Sequence, residues 1–508
     1  MKSISNKFLI ICLCLSVACS VLAQPKYEFR AAWIATVDNI DWPSKGNYNS
    51  DSQKAEYVRM LEMHRRNGLN AVIVQVRPAT DAFYPSQYEP WSEWLTGKQG
   101  RPPAPYYDPL QFMIEEAHKR GMEFHAWCNP YRAEFQLGKS SIAPNHITRI
   151  HPDWFLKYGD TRYFDPGNKN AQQFVVNVIR DIVSRYDIDA IHFDDYFYPY
   201  RIAGKEFPDS ESYEKYGNGM NREDWRRSNV DSVIRLLSIA IKEENSHCRF
   251  GISPFGVWRN IQSDPEGSDT RAGQTNYDDL YANILLWLKE GWIDYVAPQL
   301  YWEFGHKNAA FEVLLEWWSR HTYGKHCYIG LGLYKAGTSA PWRDATLIPR
   351  QIQAVRNYPQ INGAIYFSSK SFVRNPYGWN DSLQNNYYRH PALVSPMEYL
   401  TMNKPSAPTI DMQRSVRNTA GDSISLYIVA PESDQEIRQY AIYAFRERPM
   451  ENEGMSDGAN LYYLIPATDL NKPIKLPFGN EDTYLVVTAI NRLNEESDPA
   501  DVEVKKMP

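Results

Sequence analysis

Two consecutive aspartates, Asp194 and Asp195, close the apolar run Ile191-His192-Phe193. A glutamate, Glu303, follows Gln299-Leu300-Tyr301-Trp302. Carboxyl groups gathered in one cleft can split a glycosidic bond: one protonates the leaving oxygen, the other serves as nucleophile or as base for water. Neighbouring charges separate their pKa values, so that one is protonated and the other ionised near neutral pH. Asp194 suits the ionised role if a cation such as Arg77 lies near it. Glu303, beside Tyr301 and Trp302, suits the acid. Asp195 competes for either role, or merely caps the segment that follows. The same acids, with His125 and His192, supply enough ligands for a divalent metal, as in a metal-dependent polysaccharide deacetylase. The chain has no H-E-x-x-H, no H-x-H and no cysteine cluster, so this reading is the weaker, and neither a metal nor a cofactor is called for. No G-x-S-x-G elbow supports a serine nucleophile.

Strand parity says how such groups come together, because successive side chains point to opposite faces. In the second apolar run Val72, Val74 and Val76 face one way, Gln75 and Arg77 the other. In the third, Phe124, Ala126 and Cys128 oppose His125, Trp127 and Asn129. In the fourth, Ile191 and Phe193 oppose His192 and Asp194, and Asp195 begins a loop. In the sixth, Val296, Pro298, Leu300 and Trp302 oppose Gln299, Tyr301 and Glu303. Any one polar residue has a plain structural reading: His125 and His192 as satisfied core histidines, Arg77 as the ion-pair partner of Asp194. Four strands aiming polar groups at one rim is harder to explain by packing, since unpaired polar groups inside a fold cost stability.

The elements that must hold these residues follow from periodicity. Strand-like runs at 29–37, 70–77, 122–129, 188–194, 249–254, 293–301, 327–333 and 363–368 alternate with helical patterns at 51–66, 108–121, 171–186, 230–244, 279–290, 311–321 and 346–357. Asp108 can cap a helix with Pro109 at its first position, and Gly121 ends it. Eight strands alternating with helices predict an α/β fold, a (β/α)8 TIM-type barrel. A doubly wound open sheet is the alternative, but no G-x-G-x-x-G turn follows the first strand. The long connections 78–108, 130–168 and 196–229 leave strand C-termini, where such barrels build their sites.

The chain has 508 residues, 43% of them hydrophobic and 23% charged, which is ordinary for a globular protein. Its net charge of −6 and lack of basic runs argue against nucleic-acid binding. Aromatic residues make up 14%, including 15 Trp and 35 Tyr, enough for a large core and for flat surfaces against sugar rings. Lys2 and Lys7, a short apolar run and Val21-Leu22-Ala23 before Gln24 read as a signal peptide over 1–23, so export to the periplasm or cell surface is expected. Lipidation at Cys19 is a second reading, weaker because Ser16-Val17-Ala18 lacks the usual leading leucine. No later run is long enough to span a membrane. Cys128, Cys248 and Cys327 are too scattered for a disulfide framework or a zinc site. The barrel is expected over 24–395, a linker over 396–408, and a β-sandwich over 409–508, where strand-like alternation recurs at 423–429, 439–445 and 483–491.

Five stretches carry a family resemblance. They are Arg30-Ala31-Ala32-Trp33-Ile34-Ala35-Thr36, Gln75-Val76-Arg77-Pro78, His125-Ala126-Trp127-Cys128-Asn129-Pro130-Tyr131-Arg132, the run from Ile191 to Pro199 with Phe193-Asp194-Asp195-Tyr196-Phe197-Tyr198-Pro199 at its centre, and Pro298-Gln299-Leu300-Tyr301-Trp302. Over roughly 27–395 the chain resembles the glycosyl-hydrolase-like 10 family of bacterial envelope proteins. The end of the chain resembles a fibronectin type III domain. The family resemblance implies a barrel, export and glycoside hydrolysis, with peptide-free peptidoglycan strands as the favoured polysaccharide. A non-catalytic carbohydrate-binding or scaffold protein is the other reading. On the hydrolase reading, Gln75, Asn129, His192 and Tyr301 bond sugar hydroxyls or an N-acetyl group. His125 joins them at the rim, and Arg77 and Arg132 meet a carboxylate such as a lactyl group. Trp127 forms a stacking floor, and parity sends Trp302 to the helix side.

Overall fold

The computed structural model describes residues 24–397, 399–400, 404–430, 437–449, 454–469, 473–475, 477–478 and 483–504. The expected signal peptide and part of the expected linker lie outside the described residues. Eight parallel strands close a barrel: β1 (Phe29–Ile34), β2 (Ala71–Arg77), β3 (Glu123–Cys128), β4 (Ala190–Phe193), β5 (Arg249–Ile252), β6 (Tyr295–Val296), β7 (His326–Leu331) and β8 (Gly363–Tyr366), each paired with its sequence neighbours and β8 with β1. Helices cross between them: α1 (Ser50–Arg66), α2 (Pro109–His118), α3 (Lys169–Arg185), α4 (Arg222–Glu244), α5 (Ile284–Lys289), α6 (Phe311–Arg320) and α7 (Leu347–Arg356). Their starts are set by side-chain caps. Asn49 accepts from Ser52 N, Asp108 from Gln111 N ahead of Pro109, and Asn168 from Asn170 N and Ala171 N. The expected helix at 279–290 is instead two short pieces, Asn276–Asp279 and α5.

Parity sorts the side chains as the alternation requires. Val72, Val74, Val76, Phe124, Ala126, Cys128, Ile191 and Phe193 join the layer between strands and helices. Each such aliphatic or aromatic side chain contributes about 1.5–3 kcal/mol by leaving water. Inside the barrel, small Ala31, Ala71 and Ala190 make room for Phe29, Trp33, Tyr295 and Tyr328. Gly251 is the tightest of these accommodations: a Cβ there would lie 1.9 Å from the Tyr295 ring. Val394 and Met397 cover the N-terminal end of the barrel.

Beyond the barrel, antiparallel sheets form a sandwich-like domain. Its four-stranded sheet runs Leu461–Pro466, Ile437–Phe445, Thr483–Asn491, Ala500–Val504, opposite a three-stranded sheet of Val416–Arg417, Ser423–Ser425 and Ile474–Lys475. One face of the larger sheet buries Tyr440, Ile442, Leu485 and Val487 against Ile424, Leu426 and Ile428. The other face buries Ala441, Tyr443, Val486 and Ile490 with Leu393 of the segment that closes the barrel. Among the described residues no helix is long and apolar enough to cross a membrane.

Candidate active site

A cleft of about 540 Å³ opens at the C-terminal ends of the barrel strands. Asp194 and Asp195 form its acidic floor, and among the described residues no other carboxylate lines it. Trp33, Trp127, Trp302, Tyr196, Tyr301, Tyr334 and Phe367 wall it, with Gln75, Arg132, Ser253, Gln299 and Lys335 as its polar neighbours.

Asp194 is 3% exposed. It accepts from Trp127 Nε1 at 3.2 Å and from Asn129 Nδ2 at 3.0 and 3.2 Å. Asn129 is oriented in turn, because its Oδ1 accepts from Arg132 N at 2.8 Å and Tyr131 N at 3.3 Å, so its amide NH₂ must face Asp194. Burial pushes the Asp194 carboxyl up, against the nearby Arg132 charge and the two donors. Burial and the charge of Asp194 push the Asp195 carboxyl up to about 7, opposed by hydrogen bonds from Tyr200 and Gln299. The Tyr200 hydroxyl donates to Asp195 Oδ2. Asp195 is thereby able to hold a proton near neutrality.

Arg132, with Lys335, is one of two cations among the described residues that line the cleft. Its guanidinium lies 4.9 Å from the Tyr196 ring centroid and 5.4 Å from that of Phe135. Its charge acts on the nearby Asp194 carboxyl, and among the described residues no carboxylate is within ion-pair distance of it.

Arg77 does not reach the cleft. The β2–β3 register slips between Gln75 and Arg77, so that Gln75 pairs with Trp127 but Arg77 with the outward-facing Cys128. The bulge turns Arg77 out of the inward parity that its position predicts. Its partner is Glu89, at 2.9 Å from Nε and 2.5 Å from Nη2, and both are fully buried.

Glu303 is also not brought to the cleft. Regular pairing in β6 ends at Val296, and only isolated bridges at Gln299 continue it. The alternation therefore lapses before 303, and the Glu303 carboxylate accepts from Trp342 Nε1 at 2.9 Å. The same lapse brings Trp302 onto the cleft wall, against the helix-side position that parity assigned it. There it stands edge-on to Phe255 at 5.5 Å and 84°.

His125 and His192 point inward as parity requires, but they lie beneath the cleft. They belong to a hydrogen-bonded column on the barrel axis: Glu123 to His125 Nε2 (3.0 Å), His125 Nδ1 to Tyr295 Oη (2.8 Å), Tyr295 Oη to His192 Nδ1 (2.9 Å), and His192 Nε2 to Ser253 Oγ (3.0 Å). Trp33 Nε1 donates to His192 Nε2 at 3.2 Å. That donation fixes the tautomers: His192 carries its proton on Nδ1, Tyr295 donates to His125 Nδ1, and His125 donates to Glu123. Burial lowers both imidazoles below their ordinary range, which keeps His192 neutral. Ser253 and Trp33 carry the column to the cleft floor. The two histidines considered above as metal ligands are thus committed to Tyr295, and among the described residues no three His, Cys, Asp or Glu converge on one point.

Sequence reasoning did not name Trp33, Tyr200, Tyr334, Lys335 or Phe367 as site residues, and it placed Gln299 on the inner face without giving it a role. Trp33 had a signal, since it shares inward parity with Ala31 on β1. Tyr200 had one in its place just after the aromatic run that follows Asp195. Lys335, whose Nζ donates to Tyr301 O at 2.6 Å, had none.

A parallel eight-stranded barrel with a buried carboxyl pair and aromatic walls at the strand C-termini is the build of a glycoside hydrolase. A family model described as "Glycosyl hydrolase-like 10" matches residues 28–344, and the chain belongs to that family. It is 46% identical over 496 residues to glycosyl hydrolase YngK of Bacillus subtilis (strain 168), covering 95% of this chain and 94% of that one. It is 38% identical over 370 residues to glycosyl hydrolase DigH of Escherichia coli (strain K12), covering 68% of this chain and 83% of that one. The glycoside hydrolase domain of PgaB (BpsB) from Bordetella bronchiseptica aligns with a TM-score of 0.42 at 13% identity, over 70% of this chain and 98% of that one. The fold assignment rests on the strand order and not on this last likeness.

Proposed function

We propose that this glycosidase is exported and cleaves a bacterial cell-wall or surface polysaccharide, with peptide-free peptidoglycan strands the favoured substrate. The observation that carries the reading is the Asp194–Asp195 pair, buried at the floor of a cleft walled by aromatic rings. Asp195 is the acid that protonates the leaving oxygen, and Asp194 the carboxylate that works beside it. The rings offer flat apolar faces to pyranose C–H surfaces, and Arg132 can pair with an acidic substituent such as a lactyl group. Gln75, Asn129 and Tyr301 bind or orient polar substituents. Trp127 has its indole N–H on Asp194. His125 and His192 support the floor from below, and Arg77 and Glu303 stabilise the rim from outside the cleft. Export rests on the leader pattern over 1–23. The unit over 24–395 carries the catalysis, and the fibronectin type III-like unit over 409–508, beyond the linker 396–408, is its spacer.

The test is mass spectrometry of purified protein incubated with peptide-free glycan strands, beside Asp195→Asn. Shorter oligosaccharides with the wild type alone are expected. Unchanged strands in both would defeat the substrate assignment, and equal cleavage by both would defeat the role of Asp195.

A further inference from the structure

Resting on the hydrolase reading, one question stays open: which group attacks the anomeric carbon. Asp194 and Asp195 are consecutive at the end of β4, so their carboxyls enter the cleft from one strand end. An acid and a nucleophile or base normally flank the bond being cut, about 5–5.5 Å apart with retention and about 6.5–9.5 Å with inversion. Among the described residues no further carboxylate lines the cleft, and Glu303 is turned to Trp342. The lining next to Asp194, toward β1 and β2, is uncharged. Gln75 Oε1 accepts from Thr36 N at 3.2 Å and Val37 N at 2.9 Å, which leaves its amide NH₂ as the end free to donate. Ala35 and Val37 beside it, with Phe367 beyond them, supply apolar surface. Asp194 itself is aimed by Asn129 and Trp127 as a fixed acceptor. A donor for a carbonyl oxygen, an acceptor for an N–H and an apolar surface for a methyl group together match an acetamido group.

We infer that the attacking group is the substrate's own 2-acetamido oxygen, and that the site therefore selects an N-acetylated amino sugar on the non-reducing side of the cut. The acetamido oxygen forms a bond to C1 as the bond from C1 to the glycosidic oxygen breaks. The departing electron pair goes to that oxygen, which takes the proton of Asp195. Asp194 accepts the acetamide N–H and balances the positive charge of the cyclic intermediate. Asp195, now ionised, removes a proton from water as the water oxygen bonds to C1. The C1–acetamido bond breaks and its electron pair returns to the amide oxygen. Two displacements leave the anomeric configuration retained, and no external reactant besides water is used.

The full-length protein is tested on N-acetylated glycan strands and chitin oligosaccharides, on the same strands after chemical de-N-acetylation, and with the thiazoline analogue of N-acetylglucosamine as inhibitor. Expected are a first-formed anomer of retained configuration by NMR, competitive inhibition by the thiazoline, and cleavage of de-N-acetylated strands slower by roughly 100-fold or more, from loss of an intramolecular nucleophile. Inversion, unimpaired cleavage of de-N-acetylated strands, or a covalent adduct with a 2-deoxy-2-fluoro glycosyl fluoride would overturn participation while hydrolysis itself stood. No cleavage of any N-acetylated strand would overturn both. The variants separate the two roles. Asp195→Asn should keep most activity on an aryl 2-acetamido glycoside, whose leaving group needs no acid, and Asp194→Asn should lose roughly 100-fold on it. Equal loss in both would overturn the division between the two aspartates.

Discussion

At the scale of single residues, the site depends on two adjacent carboxyls being unlike. Asp194 receives donors from an asparagine whose orientation is locked by backbone N–H groups, and Asp195 receives a phenol and carries the electrostatic burden of its neighbour. On the proposed mechanism the acid form of Asp195 is the working form, present below about pH 7 and lost above it. Turnover should therefore fall as pH rises through about 7, and Asp195→Asn should lower kcat by about 10²–10⁴-fold with that alkaline limb abolished. A pH–rate profile of both proteins on glycan strands checks this. The same group has a consequence for stability. Its carboxyl is raised on folding, so its contribution is full in acid and is lost as pH rises through about 7, where a buried charge must form. Asp195→Asn, which cannot ionise, should melt above the wild type at pH 8 by a few degrees, an order-of-magnitude figure, with a smaller gain at pH 5, because the loss builds from the unfolded aspartate pKa of about 4 up to about 7. Equal melting shifts at both pH values would show that ionisation of Asp195 is not what limits stability there.

At the scale of elements, a bulge and a glycine decide which side chains reach the site. The slip in β2 after Gln75 sends Arg77 into a fully buried pair with Glu89. Arg77→Met should destabilise the fold by about 3–5 kcal/mol by stranding the Glu89 charge, and a second change, Glu89→Leu, should recover much of the loss. Denaturant midpoints of the single and double variants decide it. Gly251 clears the space for Tyr295, so Gly251→Ala should displace that ring and break its bonds to His125 and His192. Cleft-floor tryptophan fluorescence should change through Trp33, with kcat falling more than 10-fold by the misplacement argument; an unchanged kcat with a displaced Tyr295 would detach the column from catalysis.

These two positions also show what was legible in advance. Alternation over a regular strand placed Gln75, Trp127, Asn129 and Asp194 on the inner face, because a period of two needs only unbroken pairing. Arg77 and Glu303 escaped that logic where pairing breaks, at a bulge and past the short β6, and no local residue pattern announces either break. His125 and His192 were placed on the correct face but at the wrong depth. Parity gives direction, whereas height along the barrel axis depends on the stagger of eight strands. Tyr200 comes from a loop and Lys335 from the three-residue 3-10 turn Leu333–Lys335, both too short or irregular for periodicity to operate.

At the scale of the whole molecule, the C-terminal domain is fastened to the end of the barrel opposite the cleft. Glu123 on β3 accepts from Arg438 Nη1 and Asn494 Nδ2, both at 2.9 Å, and pairs with Arg249 at 2.7 Å. His118 Nε2 lies 2.9 Å from Asp189, and Arg492 pairs with Asp187 beside it. Burial works against the Glu123 charge, but Arg249 and Arg438 overcome it and hold the carboxyl well below the ordinary glutamate range. Glu123 also anchors His125, the lower end of the column that ends at Ser253 and Trp33. Docking of the domain is thereby joined by an unbroken series of hydrogen bonds to the floor of the cleft. Arg438→Ala removes one of the two cations on Glu123 while Arg249 remains. A loss of about 2 kcal/mol at pH 7 is expected, below the figure for stranding a buried charge outright. The pH dependence gives the sharper reading. A carboxyl depressed in the folded state contributes stability above its unfolded pKa and loses it as pH falls. Wild-type stability should thus drop between about pH 5 and pH 3, and Arg438→Ala should drop less steeply because part of that stabilisation is already gone. Denaturant midpoints at pH 7, 5 and 4 for the two proteins measure the difference in slope. Parallel slopes would mean that Arg249 alone holds Glu123 ionised, and that the C-terminal domain is seated by the apolar contacts of Leu393, Tyr443 and Ile490 rather than by the ion pair.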